Sequence, residues 1–275
     1  MTVRVGSKLN RLERELPEGL LVDANWMEQR GYSRSLRSQY VSAGWLEQPA
    51  RGVFRRPRGP LSWEHVVISL QTLLHLPVSV GGRTALEILG YAHFLRQSQR
   101  VIHLYTDAKL PGWLSKLPGQ CFVSHNRGRF LPPGAPPSLN LASAVSEPEQ
   151  TLAGAFRVIP WGQWNWPLVV STPERAILEL IDELPASETF HGIDMLMEGL
   201  VDISPRRMQT LLEQASSIKV KRLFFFFAER HGHRWLNRLS QDKVDLGKGK
   251  RMIAKGGKLD RKYQITVPED LDGVQ

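Results

Sequence analysis

Cysteine is almost absent from this chain. Its 275 residues include one, Cys121, so no intrachain disulfide can form and no cysteine-based zinc site is available. Cys121 lies in an apolar segment and reads as a small core residue. Long apolar runs are missing as well. The longest purely apolar stretch, Leu223–Ala228, falls far short of the roughly 20 residues that cross a bilayer. The N-terminus turns charged and amphipathic at once, without the apolar core of a secretory signal, so a cytoplasmic location is expected. A Walker loop, a dinucleotide fingerprint, a metalloprotease helix and a nucleophile elbow are all lacking. There is no internal repeat. From these absences neither a cofactor, nor a metal, nor an enzymatic activity is expected.

What the chain has is positive charge. The net charge is +9, and the 60 residues from Met1 to Pro60 hold eleven Lys/Arg against six Asp/Glu. More than half of the excess therefore sits in the first fifth of the chain. Such a balance favours a polyanionic partner.

The segment from Val22 to Pro57 reads as helix, tight turn, helix and a short wing. A first helix is expected over Val3–Glu15, with Val5, Leu9, Leu12 and Leu16 on one face. Asp23 is placed to cap a second helix, in which Trp26 and Met27 are buried, and Gly31 to end it. Ser33 then caps a third. At 100° per residue, Leu36, Tyr40 and Ala43 point inward, while Arg34, Ser38 and Val41 point outward, flanked by Ser35, Arg37 and Ser42. The outward face has no acid. Its guanidiniums can read guanine bidentately, its serines bases or phosphates, and its valine a thymine methyl. Trp45–Gln48 and Val53–Arg56 read as two wing strands about a turn at Pro49–Gly52. Arg51, Arg55, Arg56 and Arg58 give that wing a basic edge for phosphates. The pattern is that of a winged helix-turn-helix, which sets one helix into the DNA major groove.

The middle region, residues 61–170, changes texture. Helices are expected over Trp63–Leu76 and Thr84–Leu89. Buried strands are expected at Val101–Tyr105, Cys121–Ser124, Phe156–Ile159 and Leu168–Val170. Prolines crowd Leu131–Pro137, which reads as a loop. Trp161–Pro167 could stack nucleobases, although tryptophans closing over a core are the commoner use. Asp107 and Lys109, at a strand end, have the spacing of a metal-dependent nuclease pair. That chemistry needs a second carboxylate, for which Glu87 is the nearest upstream candidate.

The last region, residues 171–275, is helical. Ser171 and Glu174 have capping-box spacing around Pro173. Ile177, Leu178, Ile181 and Leu184 form the buried side of the helix that follows. Further helices are expected over Phe190–Val201, Ser204–Gln214 and Ile218–Arg230. The last of these ends at Gly232 and is made central by Phe224–Phe227. Lys219, Lys221 and Arg222 open it, where the helix dipole disfavours cations. His231 and His233 lack a convincing carboxylate or thiol partner for a metal. The tail concentrates seven cations in the fifteen residues from Lys248 to Lys262, with Asp260 the only acid. Val244–Leu246, Met252–Ala254 and Tyr263–Val267 read as short strands joined by those basic turns. The fold class is thus α+β: a winged helix-turn-helix over residues 1–60, then a larger mixed α/β and helical region, 61–275, forming one further domain.

The chain resembles the AbiEi antitoxin family, the regulator half of a bacterial two-gene toxin–antitoxin and abortive-infection module. The resemblance rests on Gly31-Tyr32-Ser33-Arg34 with Tyr40 and Gly44-Trp45-Leu46, and on Arg51-Gly52-Val53-Phe54-Arg55-Arg56-Pro57. It continues in Ser171-Thr172-Pro173-Glu174-Arg175-Ala176, in Lys219-Val220-Lys221-Arg222-Leu223 with Glu229-Arg230-His231-Gly232, and in Lys255-Gly256-Gly257-Lys258-Leu259-Asp260. The resemblance implies a winged helix that binds inverted repeats in its own promoter and represses the operon. It also implies a C-terminal region that counteracts a nucleotidyltransferase-like toxin without needing to bind it stably, the type IV arrangement. The DNA-reading role falls on Ser33, Arg34, Arg37 and Ser38, with wing support from Arg51, Arg55 and Arg56. An antitoxic surface is expected around Lys219, Lys221, Arg222, Lys248, Lys250 and Arg251. Two alternatives stand beside this reading: an RNA-binding protein that protects the toxin's RNA target, and a DNA-targeted, metal-dependent nuclease built on Asp107.

Overall fold

The structure is a computed structural model that describes residues 5–91, 101–126, 139–141, 150–152 and 155–272. The proline-rich stretch Leu131–Pro137 and residue Val3 lie outside the described residues. The N-terminal part runs α1 (Val5–Glu15), β1 (Leu21–Asp23), α2 (Ala24–Gln29), α3 (Arg34–Ser42), β2 (Glu47–Ala50) and β3 (Val53–Arg55). Leu12 and Leu16 are buried on the inner side of α1, as their spacing requires. The Asp23 carboxylate caps α2 by accepting from Trp26 N at 2.8 Å, and the Ser33 hydroxyl caps α3 by accepting from Leu36 N at 3.3 Å. Gly31 leaves α2 at φ +82°, in the left-handed region that favours glycine.

The wing has one strand more than the sequence indicates. Its sheet is three-stranded and antiparallel, in the order β1-β3-β2, with Leu21 opposite Arg55 and Asp23 opposite Val53. Leu20-Leu21-Val22 is too short a run to show a periodicity of two. The stretch becomes a strand because β3 supplies a partner for its backbone.

The body continues with α4 (Trp63–Thr72), β4 (Ser79–Val80), α5 (Gly82–Ile88), β5 (Val101–Tyr105), β6 (Cys121–His125), β7 (Gln150–Leu152), β8 (Phe156–Trp161) and β9 (Trp166–Ser171). These six strands form one mixed sheet in the order β6-β5-β4-β9-β8-β7. β4 runs parallel to β9 and antiparallel to β5. The side chain of Gln71 fastens α4 to this sheet. Its amide nitrogen donates to the carbonyls of Val78 and Val169, and its oxygen accepts from Val169 N, all at 3.0 Å.

Helices α6 (Pro173–Asp182), α7 (Phe190–Gly199), α8 (Pro205–Gln214) and α9 (Ile218–His231) follow, and then the hairpin β10 (Lys258–Asp260) and β11 (Ile265–Val267). The fold is α+β. Phe224, Phe225, Phe226 and Phe227 are all buried, which makes α9 the central helix of this part. Two local expectations are corrected. The cap of α6 is Thr172, while Ser171 belongs to β9 and Glu174 is drawn away to Arg207 and Ser204 N, so no capping box forms. In the tail, 244–246 and 252–254 are not strands. The hairpin there pairs β10 with β11 instead.

One apolar cluster runs from Leu12 in α1 to Leu271 near the end of the described chain. The winged helix therefore rests directly on the body. Leu21 N in β1 donates to the Ser69 hydroxyl of α4 at 2.9 Å, a buried bond between residues 48 positions apart.

Candidate functional site

The exposed side of α3 is rotated from the one its apolar residues indicate. Arg34, Ser35, Ser38, Gln39, Ser42 and Ala43 are exposed, Tyr40 and Arg37 are buried, and Leu36 and Val41 are half-buried. The inward direction therefore bisects Tyr40 and Arg37 instead of following Leu36, Tyr40 and Ala43. Arg37 is the reason. Its guanidinium donates to the carbonyls of Ala24 at 3.0 Å and Tyr32 at 3.2 Å and lies over the Phe54 ring. Only 7% of the residue is exposed. It ties α3 to the start of α2 and to the wing, so its expected place on the outward face is corrected. Gln39 takes a place on that face. The sequence gives no sign of its exposure, although an exposed glutamine is a recognised adenine reader.

The wing arginines divide in a similar way. Arg51 is exposed at the tip of the β2–β3 turn. Arg55 is 5% exposed, and its guanidinium donates to Glu47 at 2.6 Å and to the Gly59 carbonyl. Arg56 donates to the carbonyls of Glu13 and Leu16 and pairs with Glu18. Arg55 and Arg56 thus staple the wing to α1 and to the chain that leaves β3. Their expected role as free phosphate contacts is corrected. The outward constellation that remains is Ser33, Arg34, Ser38, Gln39 and Arg51.

The basic C-terminal group also separates. Lys221 and Arg222 are buried, at 4% and 3% exposure. The Lys219 ammonium donates to the Asp182 and Leu184 carbonyls at the end of α6. These three are structural, not a surface, because α9 is packed on both sides. Arg222 supports the surface from beneath: it donates to the carbonyls of Leu246, Gly249 and Gln264. Burial, then the nearby Arg251, lowers its proton affinity. The loop it holds presents Lys248, Lys250 and Arg251 to solvent.

Asp107 and Lys109 are exposed just after β5. Among the described residues no three His, Cys, Asp or Glu side chains are grouped so as to hold a metal. Trp161 and Trp166 stack on each other across β8–β9, with the His65 ring edge-on to Trp161, so they close a core and offer no platform. His231 does have a carboxylate partner: its Nε2 is 2.9 Å from Asp194 Oδ1. His233 Nε2 lies 2.7 Å from the Met197 carbonyl.

Two polar clusters at the sheet, one buried and one half-buried, were invisible in the sequence. In the first, Glu179 is fully buried and accepts from Arg175 Nε at 2.7 Å, Ser171 Oγ at 3.0 Å and Gly82 N at 3.0 Å. Burial pushes this carboxyl up, against the pull of Arg175 and the other donors. Residue 81 must be glycine here, since a Cβ would come within 2.4 Å of the Glu179 carboxylate and the Tyr105 ring. In the second, the ring nitrogens His103 Nδ1 and His125 Nε2 are 3.0 Å apart, and His125 Nδ1 meets Glu183 at 2.6 Å. Burial, then the neighbouring His125, pushes His103 down to about 4. Burial alone would raise the Glu183 carboxyl, but hydrogen bonds from His125 and Ser187 outweigh it and the net shift is down.

The fold and the exposed helix define a class, a winged helix seated on an α+β body. Two sequence-family descriptions match the chain. Residues 5–97 match the N-terminal domain of the AbiEi antitoxin transcriptional regulator, and residues 99–268 the AbiEi antitoxin transcriptional regulator of type IV toxin–antitoxin systems. The chain belongs to the AbiEi antitoxin family. Among solved structures it is similar to the RV2827C protein of Mycobacterium tuberculosis, with a TM-score of 0.56 and 18% identity over 96% of this chain and 92% of that one. At that identity the likeness is one of fold. No curated protein matches the chain. Among the described residues no helix is long and apolar enough to cross a membrane.

Proposed function

We propose that this antitoxin binds inverted repeats in the promoter of its own operon with α3 in the major groove, and that it represses that operon. The observation that carries this reading is the outer side of α3. It exposes Arg34, Ser35, Ser38, Gln39 and Ser42 without an acid, and Arg51 is exposed at the wing tip. Arg34 suits guanine and Gln39 adenine, while Arg51 suits a phosphate. Two copies on an inverted repeat would place two such helices about one DNA turn apart.

A gel-shift titration on the promoter tests the assignment. Arg34→Ala and Gln39→Ala are each expected to weaken specific binding by about 1–3 kcal/mol while leaving binding to unrelated DNA unchanged. Arg51→Ala is expected to weaken all sequences alike and to flatten the salt dependence by about one unit. Arg37→Ala serves as the contrast. It should lower the melting temperature along with the affinity, because it removes a buried bolt. Wild-type affinity in Arg34→Ala and Gln39→Ala together would refute the interface.

The C-terminal region, on this reading, counteracts a nucleotidyltransferase-like toxin through the face that bears Lys248, Lys250 and Arg251. Their exposure on a loop anchored by Arg222 supports it. The triple alanine variant, co-expressed with the toxin, is expected to lose protection yet retain operator binding and thermal stability. Full protection by that variant would rule the face out.

A further inference from the structure

A cleft of about 460 Å³ opens between the winged helix and the β8–β9 hairpin. That size suits a small ligand. Pro17, Glu18, Arg56 and Arg58 line one wall, and Trp164 and Trp166 the other. Trp164 differs from the other tryptophans of its hairpin. Trp161 and Trp166 are packed inward, whereas Trp164 is 56% exposed.

The exposed ring is held, not loose. The turn that carries it has left-handed backbone at Gly162 (φ +68°) and at Asn165 (φ +49°). Asn accepts that conformation better than most residues. With its amide oriented to meet both donors, the Gln163 carbonyl accepts from the Trp164 indole N–H at 3.1 Å and from Arg58. The Arg58 guanidinium lies 5.7 Å from the Trp164 ring centroid.

Arg56 and Arg58 meet Glu18 at 3.3 and 2.9 Å, and Arg56 has a second acid, Glu13, at 3.7 Å. The cleft thus combines a fixed aromatic face with the guanidinium fork of Arg58, whose present acid partner, Glu18, is partly exposed. A phosphate dianion satisfies such a fork better than a single carboxylate does. A nucleobase is the planar group that an indole face stacks without regard to sequence.

We propose that this cleft is a nucleoside monophosphate site, with the base stacked on Trp164 and the phosphate on Arg58. The inference does not depend on DNA binding. It is tested by titration calorimetry on the full chain, with AMP, GMP, CMP and UMP as probes and with adenosine and inorganic phosphate as separate arms. Binding at millimolar concentration or tighter is expected for AMP or GMP. Trp164→Ala and Arg58→Ala are each expected to weaken it about tenfold or more. Trp164→Phe, which keeps a ring, should fall between wild type and Trp164→Ala. Arg234→Ala, which does not line the cleft, should bind as wild type does. Thermal melts of each variant separate loss of the site from loss of the fold. The proposal is overturned by an absence of heat with all four nucleotides, or by unchanged binding in folded Trp164→Ala. Adenosine binding as tightly as AMP would overturn the role of Arg58, and phosphate binding as tightly as AMP the role of Trp164.

Discussion

Glu179→Ala is expected to destabilise the protein by about 3–5 kcal/mol, the usual cost of breaking a buried ion pair from one side. The substitution leaves the Arg175 guanidinium in the core without its carboxylate, and the Ser171 hydroxyl and Gly82 N–H without an acceptor. These donors belong to β9, α6 and the start of α5, so the carboxylate is where the sheet and two helices are joined. Chemical denaturation of the wild type and the variant measures the difference. Glu179→Gln should cost less, since it retains an oxygen. The double variant Arg175→Met/Glu179→Leu should recover part of the loss, because a buried pair replaced by apolar side chains is often near neutral. A Glu179→Ala variant within about 0.5 kcal/mol of the wild type would show that the network is not structural.

The second large effect is one of pH. Unfolded, His103 takes up a proton near pH 6.5; folded, it resists until about pH 4. Between those values the unfolded chain binds a proton that the folded chain does not. Acidification across this window therefore favours unfolding, by about 3 kcal/mol in total for this one group. The charges around it, Glu183, Glu188 and Arg83, partly offset one another. His65 is also shifted down by burial and acts in the same direction, so only the difference between wild type and variant isolates His103. Glu183 is also shifted down; its stabilisation is full above the ordinary carboxyl value of 4.5 and is lost as pH falls through its lower folded value, so it adds to the loss at the acid end of this window. His103→Asn keeps a hydrogen-bond donor for His125 without a titrating ring. Its stability should fall less steeply than that of the wild type between pH 6.5 and pH 4. Parallel curves for the two proteins would refute the assignment.

Much of the architecture was legible because it is local. Asp23, Ser33 and Gly31 mark helix ends through bonds made within three residues, and the structure has these ends where the sequence puts them. The buried face of α7 follows from a period of 3.6, whereas α6 and α9 are buried all round over most of their length. The failures share a cause too. Arg37, Arg55 and Arg222 each look like a surface cation in a linear pattern. Each is buried by backbone carbonyls, or in the case of Arg55 also by Glu47, that reach it through tertiary structure. A carbonyl acceptor has no sequence signature, since every residue has one. The Glu179 contact with Gly82 spans 97 positions, and nothing near Glu179 announces it. The two-residue strand β4 is likewise too short to carry any periodic signal. Of the candidate interface, Arg34, Ser38 and Arg51 could be named beforehand. Gln39 could not, because its exposure depends on the turn that Arg37 gives to α3.

The buried hydroxyl of Ser69 has a consequence for exchange of parts between relatives. A transplanted head would have to bring its own N–H to the Leu21 position and match the apolar surface of α4 beneath it. Heads and bodies in such proteins should therefore be inherited together, and the seam between them should mutate in pairs.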